Sequence, residues 1–304
     1  MEKSMYNSIS EVLQDVAAGR ITPEQGDLEI ELLNAAKEAP AATDAQGIPF
    51  EHTENVQNED HTQKAEPKGG TRGSVAGIWG GDIDFNVEHG ISGIIGGCIR
   101  DKVHIGGSVS GPIGGGIGSG VHIDGGISGP IGGSIGNYVQ VGNGISGPIG
   151  GSIGRDTVIG GNLSGAVGGN IERGTVINGN ISGVVGGIMA AHVHGSVSGA
   201  IGGDLNGIVD GSVSGVIGGS LNGEVAGDVG SPHHKNRKVI KKHLRGKVGG
   251  SVYGKIMGDV SGTVEGNVTY IHGNIIEGAV IKGRVDHLRG ENRGTVLGGI
   301  VKQH

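Results

Sequence analysis

One feature constrains the fold of this chain more than any other: between residues 91 and 229 a branched aliphatic residue returns every four positions. In the shorter form of the pattern, Val197, Ile201, Leu205 and Val209 follow one another at intervals of four. Successive side chains of an extended chain point to opposite faces, so residues at even spacings all face the same way. A helix would need spacings of three and four mixed. The rhythm therefore predicts extended chain with its aliphatic residues pointing inward.

The rhythm belongs to an internal repeat. The pattern S-G-x-[IV]-G-G starts at eight serines, spaced first by 18 and then by 16 residues: Ser92, Ser110, Ser128, Ser146, Ser164, Ser182, Ser198 and Ser214. A fixed period of this length is typical of solenoids, whose turns stack on one another. The 69 glycines and the 2% of aromatic residues exclude an ordinary globular core. We predict an all-β fold, a parallel β-solenoid (β-helix) with about 16 to 18 residues per turn.

Proline and the anchor positions refine this prediction. Pro112, Pro130 and Pro148 occupy one repeat position in three consecutive turns. Proline cannot donate to a neighbouring strand, so the position is predicted to be a corner. The four-residue rhythm starts near Ser74. We call one aliphatic position in each predicted turn its anchor, and anchors at residues 229, 248 and 264 continue the rhythm to residue 296. These anchors give thirteen intervals, a length of roughly 60 Å at about 4.8 Å per turn.

The first seventy residues lack the rhythm. Residues 1–38 are predicted to form a small α-helical hairpin, because Ser8 to Glu11 is a capping box and Pro23 suits the first turn of a second helix. The segment AAGRITPEQGDLEIELL resembles the SHOCT-like hairpins of bacterial proteins. Residues 39–73 read as a flexible acidic linker. No long apolar run or signal peptide pattern is present, which favours a cytoplasmic protein.

The rhythm also breaks at residues 231–247, a basic insertion in the solenoid predicted for 74–304. Residues 1–70 hold 14 acidic and 5 basic residues, whereas residues 230–304 hold 5 and 13. We predict an interaction site here for the acidic arm of another copy, an acidic protein or an anionic membrane surface. The insertion contains no aromatic residue for base stacking, which makes nucleic acid less favoured. Its cations are Lys235, Arg237, Lys238, Lys241, Lys242, Arg245 and Lys247.

Catalytic and metal signals are weak, and we predict neither an enzyme nor a cofactor. The G-x-G-x-x-G match at residues 142–147 has no helix after it. His104 and His122, 18 residues apart, fall in one column of successive turns, and His192 lies near His194. With no carboxylate at a plausible position, we assign no metal site. The single Cys98 cannot form an internal disulfide.

One family resemblance adds to this reading. The segment GSVYGKIMGDVSGTVEGNVTYIHGNIIEGAVIKGRV, with alternating apolar residues and G-[DN]-V steps, resembles the bactofilins, bacterial polymer-forming cytoskeletal proteins. The likeness is clearest over residues 247–285 and extends by pattern to 74–229. It implies a right-handed β-helix that polymerises end to end without nucleotide and associates with membrane. We expect a non-enzymatic structural or scaffolding protein that self-associates. The alternative is a rod-like phage or cell-surface fibre that binds a receptor through its side faces.

Overall fold

The computed structural model describes residues 71 to 304, which form a parallel β-solenoid. This confirms the predicted all-β solenoid class. The helical hairpin predicted for residues 1–38 and most of the linker predicted for 39–73 lie outside the described residues. The first strand begins at Thr71, three residues before the expected start. Within residues 71–304, no helix is long and apolar enough to cross a membrane.

Most strands of the solenoid are only two residues long, because each side of a coil (one turn of the solenoid) is short. A single 3₁₀ helix, Pro232–His234, accompanies them in the described part of the chain. The strands are β1 Thr71–Val75, β2 Ile78–Trp79, β3 Asn86–Ile91, β4 Ile94–Ile95, β5 His104–Ile105, β6 His122–Ile123, β7 Gln140–Val141, β8 Val158–Ile159, β9 Val176–Ile177, β10 His192–Val193, β11 Ile208–Val209, β12 Glu224–Val225, β13 Val229–Gly230, β14 Lys238–Ile240, β15 Lys247–Val248, β16 Val252–Ile256, β17 Thr263–Val264, β18 Val268–Ile271, β19 Val280–Ile281, β20 Val285–Leu288, β21 Thr295–Val296 and β22 Ile300–Gln303.

Each coil has four sides, and each side contributes one inward slot. In one coil the slots are filled by Val197, Ile201, Leu205 and Val209, which we call the first to fourth slots. Fourth-slot residues lie in a parallel 14-stranded sheet in the order β1-β3-β5-β6-β7-β8-β9-β10-β11-β12-β15-β17-β19-β21. The first three slots pair with the next coil mainly through single-residue bridges. A six-stranded sheet of β13, β14, β16, β18, β20 and β22 replaces some of these bridges near the C-terminus.

The core is a set of aliphatic stacks. All four slot residues of the coil from Val197 to Val209 are at most 1% exposed. The 18-residue coils have two extra residues, which add a fifth buried position occupied by Val139 and, one coil later, by Thr157. The hydroxyl of Thr157 donates to the Gly136 carbonyl at 3.1 Å. The buried polar group is therefore satisfied, and the extra residues extend the core.

The prolines lie beside the corners, as the sequence suggests. Gly111 forms a bend, and Pro112 follows it immediately. The Pro112 carbonyl accepts a hydrogen bond from the Ile95 N–H at 2.9 Å. Proline can therefore join the ladder as an acceptor at this position, where its missing N–H is tolerated.

The insertion is shorter than predicted. Ile240 pairs with Ile217 in the second-slot column, and Leu244 pairs with Leu221 in the third. Residues 238–247 thus lie in β14 and the regular coil that it begins, and the excursion is confined to 231–237. Val229 pairs with Val252, so the expected anchor at residue 248, a fourth-slot residue, is not the continuation of Val229.

The length of the array is nevertheless as expected. The first-slot column holds fourteen residues: Val75, Ile91, Val109, Ile127, Ile145, Leu163, Ile181, Val197, Val213, Val229, Val252, Val268, Val285 and Ile300. The thirteen steps between them correspond to roughly 60 Å at about 4.8 Å per step.

Candidate functional site

The structure distributes the seven predicted cations over several surfaces. All seven are exposed. Lys235 and Arg237 belong to the excursion, and Lys238 begins β14. Lys241, Lys242 and Arg245 lie on the following coil. Lys247 lies in the 14-stranded sheet, where its Nζ is 2.8 Å from Glu224 Oε1. The seven cations therefore lie on more than one element, and Lys247 is already paired.

Lys238 instead joins a larger surface on the six-stranded sheet. Its outward column runs, in register, through Lys255, Tyr270, His287 and Lys302. The Lys255 ammonium lies 5.5 Å from the centroid of the Tyr270 ring, within the range of a cation–π interaction. We call this column, with the neighbouring residues His272, Arg289 and His304, the cationic face.

Aromatic rings stack along the cationic face. The centroids of Tyr270 and His287 are 5.3 Å apart with an interplanar angle of 18°, and those of His287 and His304 are 5.8 Å apart at 8°. Burial, together with the charges of Arg289, Lys255 and Lys238, lowers the pKa of His272. The neutral form of His272 is therefore favoured beside a dense set of cations. Although the insertion contains no aromatic residue, the adjacent coils supply several, and their position beside the cations was not predicted from the sequence.

A histidine–aspartate cluster lies nearer the N-terminus, on β5 and β6 of the 14-stranded sheet. Nε2 of His104 and Nε2 of His122 lie 3.0 and 2.8 Å from the same oxygen, Oδ1 of Asp124. The hydrogen bond from His104, with the neighbouring His122, lowers the pKa of the Asp124 carboxyl. Two imidazoles and one carboxylate therefore converge on one exposed point, which we call cluster 1.

A second cluster of the same composition lies farther along the sheet. His192 Nε2 is 3.1 Å from Asp210 Oδ1, and His194 Nδ1 is 2.8 Å from Asp210 Oδ2. The hydrogen bond from His194, followed by that from His192, lowers the pKa of the Asp210 carboxyl. We call this group cluster 2.

Both histidine pairs are recognisable in the sequence, but their carboxylates were not predicted. The signal was present in the repeat: Asp124 lies two residues after His122, on the same side of the strand, and Asp210 lies one 16-residue coil after His194. A carboxylate one coil away is spatially adjacent in a solenoid. No metal site was assigned from the sequence because no carboxylate was expected near the histidines. The structure places Asp124 and Asp210 there, so that reason is wrong.

The last coil differs from the others in its exposure. Val296 and Ile300 are only partly buried, and Leu297 and Val301 are 67% and 62% exposed. The strands of this coil, β21 and β22, each pair with a single strand of the described chain. One edge of the last coil is consequently unpaired within residues 71–304.

Comparison with protein-family models, with curated proteins and with solved structures gives no match for this chain.

Proposed function

We propose that this protein is a non-enzymatic structural protein that self-associates through its solenoid, in the way that the bactofilin resemblance implies. The observation that carries the proposal is the unpaired edge of the last coil. In the central coils, by contrast, the inward residues are covered by coils on both sides. Within residues 71–304, Val296 and Ile300 of the last coil are covered on one side only.

Such an edge favours addition of another chain. Unpaired N–H and C=O groups of a strand form a template for further pairing, and burial of the partly exposed aliphatic residues would add hydrophobic stabilisation. The first coil differs, since Trp79 and Phe85 lie there with ring centroids 5.4 Å apart. The Arg72 guanidinium is 4.9 Å from the Trp79 ring. Contact between the two unlike ends would be head to tail, an arrangement that generates filaments.

Charge supports the same association. The cationic face extends onto the last coil through Lys302 and His304, beside the unpaired edge. Residues 1–70 carry an excess of nine negative charges. We propose that this acidic segment of one copy contacts the cationic face of the next. Because exposed charges are screened by salt, association should weaken as ionic strength rises.

Sedimentation velocity over a range of protein and salt concentrations tests the proposal. We expect the full chain to form large species without nucleotide, and Ile300→Asp to shift it towards the monomer. Val184→Asp is the matched control, since Val184 is 50% exposed on a side of a central coil, and it should associate like the parent. A single small species under all conditions would contradict self-association. A fixed, salt-insensitive trimer would favour the surface fibre.

A second comparison tests the charge contribution. Lys238→Glu, Lys255→Glu and Lys302→Glu together should reduce association at low salt, because they reverse charge on the cationic face. Charge reversal at Lys102, Arg155 and Arg173, three exposed cations of the central coils, gives the same change in net charge and should leave association nearer to that of the parent. Equal effects of the two triple variants would refute a specific role for the face.

A further inference from the structure

The two histidine–aspartate clusters share one geometry. Outward residues on either side of a fourth-slot residue form two columns, so two adjacent coils present a block of four side-chain positions. In cluster 1 the block lies around Ile105 and Ile123, and Gly106 holds the one position without a ligand atom. In cluster 2 the block lies around Val193 and Val209, and Ile208 occupies the position that has no ligand atom. The same set of donors thus occurs twice, with a different corner vacant each time.

The donor atoms suit a transition metal ion. In each cluster one atom from each of the three residues lies within 4.8 Å of the other two. Ligand atoms of a tetrahedral zinc site, at about 2.0 to 2.1 Å from the ion, are roughly 3.3 Å apart. The distances of 2.8 to 3.1 Å between imidazole nitrogens and carboxylate oxygens therefore require only small side-chain movements. Two imidazoles and a carboxylate are also typical of sites that leave one position open.

We propose that cluster 1 and cluster 2 each bind one divalent transition metal ion, with Zn²⁺ as the representative ion. The ligand atoms are Nε2 of His104, Nε2 of His122 and a carboxylate oxygen of Asp124 in the first site. In the second they are Nε2 of His192, Nδ1 of His194 and a carboxylate oxygen of Asp210. Water fills the open position of each ion. This inference is independent of self-association.

The solenoid holds these ligands in place before an ion binds. The His122 N–H donates to the Val103 carbonyl at 3.0 Å, and the Asp124 N–H donates to the Ile105 carbonyl at 2.9 Å. On binding, each imidazole nitrogen that donates to the carboxylate gives up its hydrogen, and the other ring nitrogen carries the proton in the neutral ring. A ring that is charged at the start releases one proton to solvent. Because protons compete with the ion for the imidazole nitrogens, binding should weaken in acid.

Titration calorimetry of the full chain with Zn²⁺ at neutral pH tests the two sites. Asp124→Asn and Asp210→Asn should each remove one bound ion or weaken its binding by at least about tenfold, since an amide oxygen lacks the carboxylate charge. The double variant should lose both ions. Asp156→Asn changes an exposed aspartate outside both clusters and should bind like the parent. Other histidines of the chain contribute equally to the parent and to all four variants.

A variant that gains affinity provides the complementary test, because unfolding of the variant could not produce a gain of binding. Ile208 is 44% exposed and occupies the vacant corner of cluster 2, so Ile208→His adds a fourth ligand. We expect the second site to bind Zn²⁺ at least about tenfold more tightly, and to lose this gain when Asp210→Asn is added. The proposal is overturned if the parent binds no more Zn²⁺ than the double aspartate variant. Unchanged affinity in Ile208→His would overturn the second site.

Discussion

At the scale of single residues, the glycine midway between the first and second slots has no room for a β-carbon. A β-carbon added at this position would lie 1.8 to 2.1 Å from the carbonyl oxygen of the equivalent glycine one coil earlier. Backbones of adjacent coils approach this closely because the chain turns a corner there. The shared restriction explains the glycine column: Gly111, Gly129, Gly147, Gly165, Gly183, Gly199 and Gly215.

Gly147→Ala tests this steric restriction. Its β-carbon would lie 2.1 Å from the Gly129 oxygen, so the coils must separate, and we expect a loss of at least about 1 to 3 kcal/mol in the free energy of unfolding. Gly80→Ala is the control, because nothing lies within 4 Å of its added β-carbon, and its effect should stay within about 0.5 kcal/mol. Equal unfolding transitions in urea for the two variants would show that the corner can relax.

At the scale of one side of a coil, the residue before an inward slot contributes a side-chain acceptor to the hydrogen bonds between coils. Its side chain accepts a hydrogen bond from the backbone N–H of the equivalent residue in the next coil. The Leu205 N–H donates to the Ser220 carbonyl at 2.9 Å, while the Ser220 N–H donates to Asp204 Oδ1 at 2.7 Å. A side-chain acceptor thus takes the place of a backbone carbonyl. Cys98 belongs to the same column, since its Sγ accepts from the Gly116 N–H at 3.4 Å. Serine, asparagine and aspartate recur at this position because each has a hydrogen-bond acceptor on a short side chain.

Asp204→Ala tests the side-chain ladder. Ser220 is 4% exposed, so its N–H would be left without an acceptor in a largely dry place, at a cost of about 1 to 3 kcal/mol. Asp204→Asn keeps an oxygen acceptor and should retain most of the stability. The comparison is made by urea unfolding followed by circular dichroism. If alanine and asparagine destabilise equally, the carboxylate charge rather than the hydrogen bond is responsible.

At the scale of the whole solenoid, each coil contacts only its neighbours, so a defect in a central coil divides the array. Val209 is fully buried and pairs with Val193 before it and Val225 after it. We expect Val209→Asp to cost several kcal/mol, because an unpaired carboxylate enters a thin apolar core. Ile208→Asp makes the same kind of change one residue away on the outward face and should cost much less.

Thermal melting and limited proteolysis distinguish these two variants. Val209→Asp should melt at a lower temperature and become sensitive to cleavage near the altered coil, since the local ladder opens there. Ile208→Asp should keep a melting curve close to that of the parent. A parental melting curve for Val209→Asp would mean that this residue tolerates exposure and that the inward assignment is wrong.

The sequence by itself determined the class of fold, the inward residues of the regular coils and the approximate number of coils. The spacing of four and the period of 16 to 18 residues are properties of the chain alone, and even spacing on extended chain leaves one inward face. It also located the break after Val229 and the excess of cations that follows. Glycine-rich composition then agreed with a thin core rather than a globular one.

Only the tertiary structure decided how the coils stack after the break. All four sides of a coil carry the same spacing, so the rhythm cannot tell a first-slot residue from a fourth-slot one, and Val252 rather than Val248 continues from Val229. The contacts of the candidate sites were undetermined for a related reason. They join residues on adjacent coils, such as His104 and Asp124, and depend on the register between coils and on side-chain directions. Neither the register nor the side-chain directions are determined by the spacing of residues along one strand.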